Sequence, residues 1–477
     1  MQLKNSFSRI MTVLNDKRHP LWVFLQQFAV RGLLGVKFLL IARLLNPKEI
    51  GLISIALISL TLVEALTEIG IMQAIVQSEK KIKYRSIIWT LQFLRGCGIT
   101  VFLLLINPLL IEIFHEPSAA HILFLIALVP FIKNMISINY YYELREKNFK
   151  DVSLIFCLSS LIDLISSIIL VAIFRDPVYA IISIIVSETI KTLLTHIVFG
   201  WSIVLDFRFN LIKEVTSYGR WIWGNSISSF FVNQFDKIIA SNFLGTSSLG
   251  LYQMSQKMTQ LLVADISFAA GQYLFPQFSY LYRDKEESRN LNSFYSRIML
   301  LMLMFSFVLS SFVIIYTDPF ITLVLGTHWL SMSNIIKFMM ISSSLAAIMN
   351  VSVVYNRAIG KPKKVAIVSY VQLGVFIFLC LILVRSHGTF GLIFSSIISY
   401  IISLFLLNVQ FNKKFLYFIN AIKNNFLLIV ILMVFTFLTI LMKNLITINV
   451  AFYISLFLFS MQILYLIFTF KKQGERI

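Results

Sequence analysis

Sixteen ionisable side chains interrupt long apolar runs in this chain: Arg31, Lys37, Arg43, Arg95, Lys133, Lys191, Lys237, Lys257, Arg297 and Lys337, against Glu64, Glu68, Asp163, Glu188, Asp236 and Asp265. A charge near the middle of a bilayer costs about 2.5–3.5 kcal/mol on insertion scales, so such residues are expected to face protein or water. Bases outnumber acids, so an anion finds more partners here than a cation does. Arginine grips phosphate through paired N–H groups and lysine as a point charge. Arg31, Lys37, Arg95, Lys133, Lys237 and Lys257 are therefore candidate anion-binding residues in a cationic cavity. Glu64, Glu68, Asp236 and Asp265 are candidates for carrying a coupling H⁺ or Na⁺. Glu64 and Glu68 are one helical turn apart and repel when both are ionised, which favours a proton on one of them.

Each of these assignments has a plainer rival. Glu188 and Lys191 are three residues apart and can neutralise each other on one helix. Arg43 and Arg297 lie near the ends of their runs, where long side chains reach the headgroups. Arg31 with Glu64, or Arg95 with Glu68, can equally form structural pairs that hold a bundle together.

The elements that must position these residues are helices. The 477 residues are 58% hydrophobic and only 13% charged, too little polar surface for a soluble globule. The apolar runs approach the roughly 20 residues that cross a hydrocarbon core as a helix. About fourteen spans result: 21–44, 50–75, 87–111, 120–142, 152–174, 178–204, 219–243, 248–274, 294–316, 331–356, 365–385, 389–411, 426–443 and 449–470. The chain is thus expected to be an all-α, polytopic membrane protein. Lys and Arg crowd alternate connections, and only Lys48, Arg175, Arg385 and Lys443 lie on the other side. The positive-inside rule then places both termini in the cytoplasm. The formal charge of +19 is mostly this topology signal, with attraction to anionic membrane lipids, and no nucleic-acid partner is indicated.

The stretch "ARLLNPKEIGLISIA" from Ala42 echoes "SNFLGTSSLGLYQMS" from Ser241, with Leu45, Gly51 and Leu52 matching Leu244, Gly250 and Leu251 at an offset of 199. Two six-helix lobes in a parallel repeat follow, residues 1–210 and 211–412, with two extra helices and a cytoplasmic tail in 413–477. Such internal symmetry is common in alternating-access transporters. Polar stripes recur in matching phase. Ser54, Thr61, Glu64 and Glu68 share one face of the second span. Gln253, Gln256, Lys257, Gln260 and Ser267 share one face of the eighth. Asn225, Ser228, Ser229 and Asp236 do so on the seventh, opposite Gln26 and Lys37 on the first. Spans one, two, seven and eight are expected to surround a wet space lined by Ser54, Thr61, Asn225, Ser229, Gln253, Gln256 and Gln260.

Other classes are disfavoured. No P-loop is present for an ATP-driven pump. The short outer loops leave no evident place for a catalytic site, so an enzyme is not expected. Cys97, Cys157 and Cys380 lie inside spans without metal-binding spacing, and neither a metal nor a cofactor is expected.

The runs "LIARLLNPKEIGLISIALISLTLVEALTEIGIMQAIVQ", "DKIIASNFLGTSSLGLYQMSQKM" and "DPFITLVLGTHW" followed by "YNRAIGKPKK" resemble the polysaccharide-transporter branch of the multidrug, oligosaccharidyl-lipid and polysaccharide exporter superfamily. The likeness is to O-antigen and exopolysaccharide repeat-unit flippases. It implies a MATE-like bundle of twelve helices plus two in a bacterial cytoplasmic membrane. It also implies a cargo of undecaprenyl-pyrophosphate-linked oligosaccharide, and a polysaccharide polymerase and other assembly proteins as partners. A peptidoglycan-precursor flippase, a drug antiporter of the same superfamily and a membrane glycan polymerase or ligase are the alternatives. A drug antiporter would call for an acid-lined cavity, whereas bases prevail here.

Overall fold

The computed structural model describes residues 16–19, 21–68, 85–201, 205–207, 219–283, 288–408, 422–423, 425–445 and 450–462. Among them the regular structure is helical throughout. Ten helices are long and apolar enough to cross a membrane, which makes this a multi-pass membrane protein. Two further apolar helices, Ile429–Leu441 and Val450–Gln462, are shorter. The expected seventh and eighth spans are helical too but are not among the ten, and the eighth is interrupted by a π-helical turn. The boundaries expected near 210 and 412, both termini and most of the basic connections lie outside the described residues.

Tertiary contacts divide the chain into two compact units, Met1–Gly250 and Leu251–Ile477. The first contains α1 (Leu21–Leu44), α2 (Pro47–Leu66), α3 (Arg85–Phe114), α4 (Ala120–Ile126), α5 (Leu128–Asn134), α6 (Asn139–Arg145), α7 (Phe149–Phe174), α8 (Val178–Phe199) and α9 (Gly219–Leu244). Helix α1 lies along α7, α7 along α8, and α9 against α2. The indole N–H of Trp223 on α9 donates to the Leu66 carbonyl at 2.7 Å, satisfying one of the acceptors left over where α2 ends.

The start of α2 is written in "NPKE". The Asn46 side chain accepts from the Glu49 N–H at 3.0 Å, and the Glu49 carboxylate accepts from the Asn46 N–H at 2.7 Å, a reciprocal capping box with Pro47 in the first turn.

The echoed glycines meet here. A Cβ on Gly51 would overlap the Thr246 carbonyl, and a Cβ on Gly250 would overlap the Pro47 carbonyl. Pro47 and Thr246 are themselves 199 apart, so the two copies of the motif cross in a pseudo-symmetric backbone contact. The repetition therefore has a steric cause: each copy must be bare where the other's backbone passes.

The second unit continues from α10 (Thr246–Thr259) through a π-helical turn, Gln260–Ala264, into α11 (Asp265–Arg283). It then forms α12 (Ser288–Ile315), α13 (Thr317–Val324), α14 (Ser333–Ala358), α15 (Pro362–His387), α16 (Thr389–Asn408) and α17 (Phe426–Leu445). Helix α14 packs against α11, α12 and α16, and α17 packs on α12. A buried Tyr295 hydroxyl bonds Ser352 at 2.9 Å and Asn408 at 2.8 Å, joining α12, α14 and α16 through one polar knot.

Candidate functional site

Several ionisable side chains of the first unit are paired across helices. Glu64 lies in the last turn of α2, which ends at Leu66, so Glu68 stands two residues past the helix instead of one turn further along it; their carboxylates meet cations from α3 and α5. Arg95 on α3 donates to the Glu68 carboxylate at 2.9 Å and to the Glu64 carbonyl at 3.3 Å. Lys133 on α5 donates to the Glu64 carboxylate at 2.8 Å. Glu188 on α8 pairs with Lys191 one turn on and lies within electrostatic reach of Lys133. The result is one cluster of three acids and three bases drawn from α2 and the residues just past it, α3, α5 and α8.

Two of the pairs named from the sequence are present. Arg95 does pair with Glu68, and Glu188 with Lys191. Glu64 takes Lys133 as its partner, across 69 residues. The repulsion between Glu64 and Glu68 is relieved by a separate cation on each carboxylate. Lys133 stays 46% exposed and its ammonium has three donors, so the pairing with Glu64 leaves capacity for an anion.

Lys37 goes elsewhere. Its ammonium donates to Asp163 of α7 at 2.6 Å and to the Ser183 hydroxyl of α8 at 3.3 Å, while Ser183 donates to the same Asp163 oxygen at 3.2 Å. Lys37 and Asp163 are only 8% and 7% exposed. About three turns earlier on α1, Gln26 accepts from Ser153 of α7 at 3.0 Å. Asp163 stood in the sequence as one acid among six, and nothing in its spacing links it to a lysine 126 positions earlier.

The other candidates are placed as follows. Arg31 is exposed on α1. Lys237 is buried, donating to the Asn233 carbonyl at 2.7 Å and the Gln234 side chain at 3.0 Å. Asp236 accepts from the Lys237 N–H at 2.9 Å. Ser54 is buried with its hydroxyl returned to the Ile50 carbonyl, and Thr61 bonds the Leu57 carbonyl of its own helix. Ser229 is exposed, while the side chain of Asn225 lies outside the described residues. Gln253, Gln256, Lys257 and Asp265 are half-buried and Gln260 is exposed.

The stripe on the eighth span is not continuous as a regular helix would make it. The π turn shifts the phase, so Ser267 leaves the stripe and bonds the Ala347 carbonyl of α14 at 2.8 Å. Asp265 takes its place, within 3.4 Å of the Gln260 amide.

Glu116, which the sequence left unremarked, sits beside the glycine crossing. It accepts from Thr246 at 2.7 Å and from Ser118, and pairs with Lys48 at 3.3 Å. Burial pushes its carboxyl up, but the hydrogen bonds from Ser118, Thr246 and Lys48 outweigh that and hold it below its ordinary value. Among the described residues no group of His, Cys, Asp and Glu could hold a metal ion.

The fold is shared with solved membrane transporters. It matches a solved structure of the lipid II flippase MurJ in an inward closed conformation with a TM-score of 0.72, at 15% identity, covering 95% of this chain and 99% of that one. An inward-facing multidrug resistance MATE family transporter of the MOP superfamily matches at 0.65, with 12% identity over 80% of this chain and 94% of that one. Within that class, the chain belongs to the polysaccharide biosynthesis protein family, whose model matches residues 40–334. It is 21% identical to the lipopolysaccharide biosynthesis protein WzxC of Escherichia coli (strain K12), over 69% of this chain and 67% of that one. It is 20% identical to the succinoglycan biosynthesis transport protein ExoT of Rhizobium meliloti (strain 1021), over 71% of this chain and 68% of that one. The teichuronic acid biosynthesis protein TuaB of Bacillus subtilis (strain 168) is similar at 21% identity, over 69% and 68%.

Proposed function

We propose that this protein is a flippase that carries an undecaprenyl-pyrophosphate-linked oligosaccharide from the cytoplasmic to the outer leaflet of a bacterial cytoplasmic membrane. Membership of the polysaccharide biosynthesis protein family, on a chain with ten membrane-crossing helices, is the observation that carries this reading. Relatives named for succinoglycan transport and lipopolysaccharide biosynthesis support it. The chain is a transporter and no bond of the cargo is broken. The finer layout is fourteen spans, two six-helix lobes and two added helices, with both termini cytoplasmic. A polysaccharide polymerase takes the unit once it has crossed.

Alternating access moves the head group while the polyprenyl tail stays in lipid. The pyrophosphate is drawn to the Arg95 and Lys133 cluster, where Glu64 and Glu68 hold the cations while the site is empty. A proton on either carboxylate weakens its hold and frees the cation for phosphate, which would couple H⁺ to cargo. Na⁺, and Asp236 or Asp265, are the alternative coupling partners.

The test is made in a deletion strain. Surface polysaccharide should disappear while the finished lipid-linked unit accumulates facing the cytoplasm. Arrival of the unit in the outer leaflet at a normal rate, with no second flippase, would overturn the reading. In reconstituted vesicles, flipping should depend on pH in the wild type and flatten in the E64Q/E68Q double variant; flat dependence on both pH and Na⁺ in the wild type removes the coupling.

A further inference from the structure

The π turn does more than break a helix. In a regular α-helix Gln260 and Asp265, five residues apart, would project about 140° from one another. The i to i+5 pairing of a π turn stacks them, and the Gln260 amide donates to the Asp265 carboxylate at 3.4 Å. The insertion has a packing cause on each side. Upstream, Met254, Met258 and Thr259 are buried, which turns Gln253, Gln256, Lys257 and Gln260 to the other face. Downstream, Ser267 is fixed to α14 by its bond to the Ala347 carbonyl and by two contacts from the Asn350 amide at 3.0 and 3.3 Å. Those two phases do not match in a regular helix, and one extra residue in the turn reconciles them.

The consequence is a polar rail about 18 Å long from Gln253 to Asp265 on a single helix. It alternates amides, an ammonium and a carboxylate, the side chains that pair with vicinal hydroxyls as both donors and acceptors. At its Gln253 end the amide oxygen is buried without a hydrogen-bond partner among the described residues, and a buried acceptor of this kind gains free energy from a donor.

We infer that this rail is the glycan-reading element of the transporter. Gln253, Gln260 and Asp265 bind sugar hydroxyls of the cargo, and the π turn recruits Asp265 to that task in place of ion coupling. The inference rests on the lipid-linked oligosaccharide reading above. A site built to bond hydroxyls discriminates strongly against ligands lacking them, because its polar groups are then left unpaired.

The test uses the full chain in lipid nanodiscs and two probes: the lipid-linked saccharide that accumulates in cells lacking the protein, and bare undecaprenyl pyrophosphate. The wild type should bind the saccharide-bearing lipid more tightly. Gln253→Ala and Asp265→Asn should each reduce that preference about tenfold with binding of bare undecaprenyl pyrophosphate unchanged, as loss of a charge-assisted or buried hydrogen bond implies. Ser267→Ala, on the same helix but turned to α14, should leave the preference intact. A preference untouched in both rail variants, or equal weakening of both probes, overturns the inference while the transport reading stands. A wild type that binds neither probe overturns the cargo assignment itself, and this inference with it.

Discussion

At the scale of the residue, several interior charges stand in ion pairs, and their energetics follow from burial. Lys37 and Asp163 are both removed from water and share Ser183. Removing one partner strands the other, which costs about 3–5 kcal/mol in buried pairs, whereas replacing both by neutral groups is often close to neutral. Lys37→Met and Asp163→Asn should therefore each lower the melting temperature in detergent, and the double variant should recover most of the loss. Additive losses would mean that the two groups act independently. The pair was not legible in the sequence: Lys37 was readable as an unusual charge, but its partner depends on α1 lying beside α7 and α8. The same holds for Glu64, whose match to Lys133 requires α5 to return alongside α2.

At the scale of the element, the crossing of the two motif copies works as a clamp on the side that the charge pattern assigns to the exterior. Gly51→Ala or Gly250→Ala places a methyl group against a backbone carbonyl, which cannot rotate away. Either substitution should pry the crossing apart and sharply reduce transport, seen as faster labelling of a cysteine introduced at Lys48 by a membrane-impermeant thiol reagent. Gly32→Ala, where nothing lies within 4 Å, is the control and should be neutral or stabilising by about 0.5–1 kcal/mol through helix propensity.

Glu116 adds a pH dependence to the same element. Its carboxyl is held below the ordinary value in the fold, so the folded state binds its proton less readily than the unfolded chain does. The stability it contributes is then full above the ordinary carboxylate value of about 4.3 and is lost as the pH falls through the lowered one. The melting-temperature gap between wild type and Glu116→Gln should be present at neutral pH and close in acid. A gap independent of pH would show that ionisation of Glu116 does not matter to the clamp.

At the scale of the whole molecule, the uneven distribution of Lys and Arg predicts an orientation with both termini in the cytoplasm. Alkaline phosphatase fused after Arg175 or Arg385 should be active, and fusions at either terminus inactive, if the termini are cytoplasmic. Activity at a terminus would invert the assignment. The sequence by itself determined the class of protein, because the length and apolarity of each helix and the charge of its flanks are local properties that a bilayer reads segment by segment. It also marked Gly51 and Gly250 as a matched pair. Tertiary structure alone decided that Lys37 meets Asp163 and that Glu64 meets Lys133, since those pairs join residues 126 and 69 positions apart through helix packing. It also decided the face that Asp265 and Ser267 present, because the π turn arises from a conflict between the packing of α10 and that of α11 on α14, and no periodicity read along one helix contains that conflict.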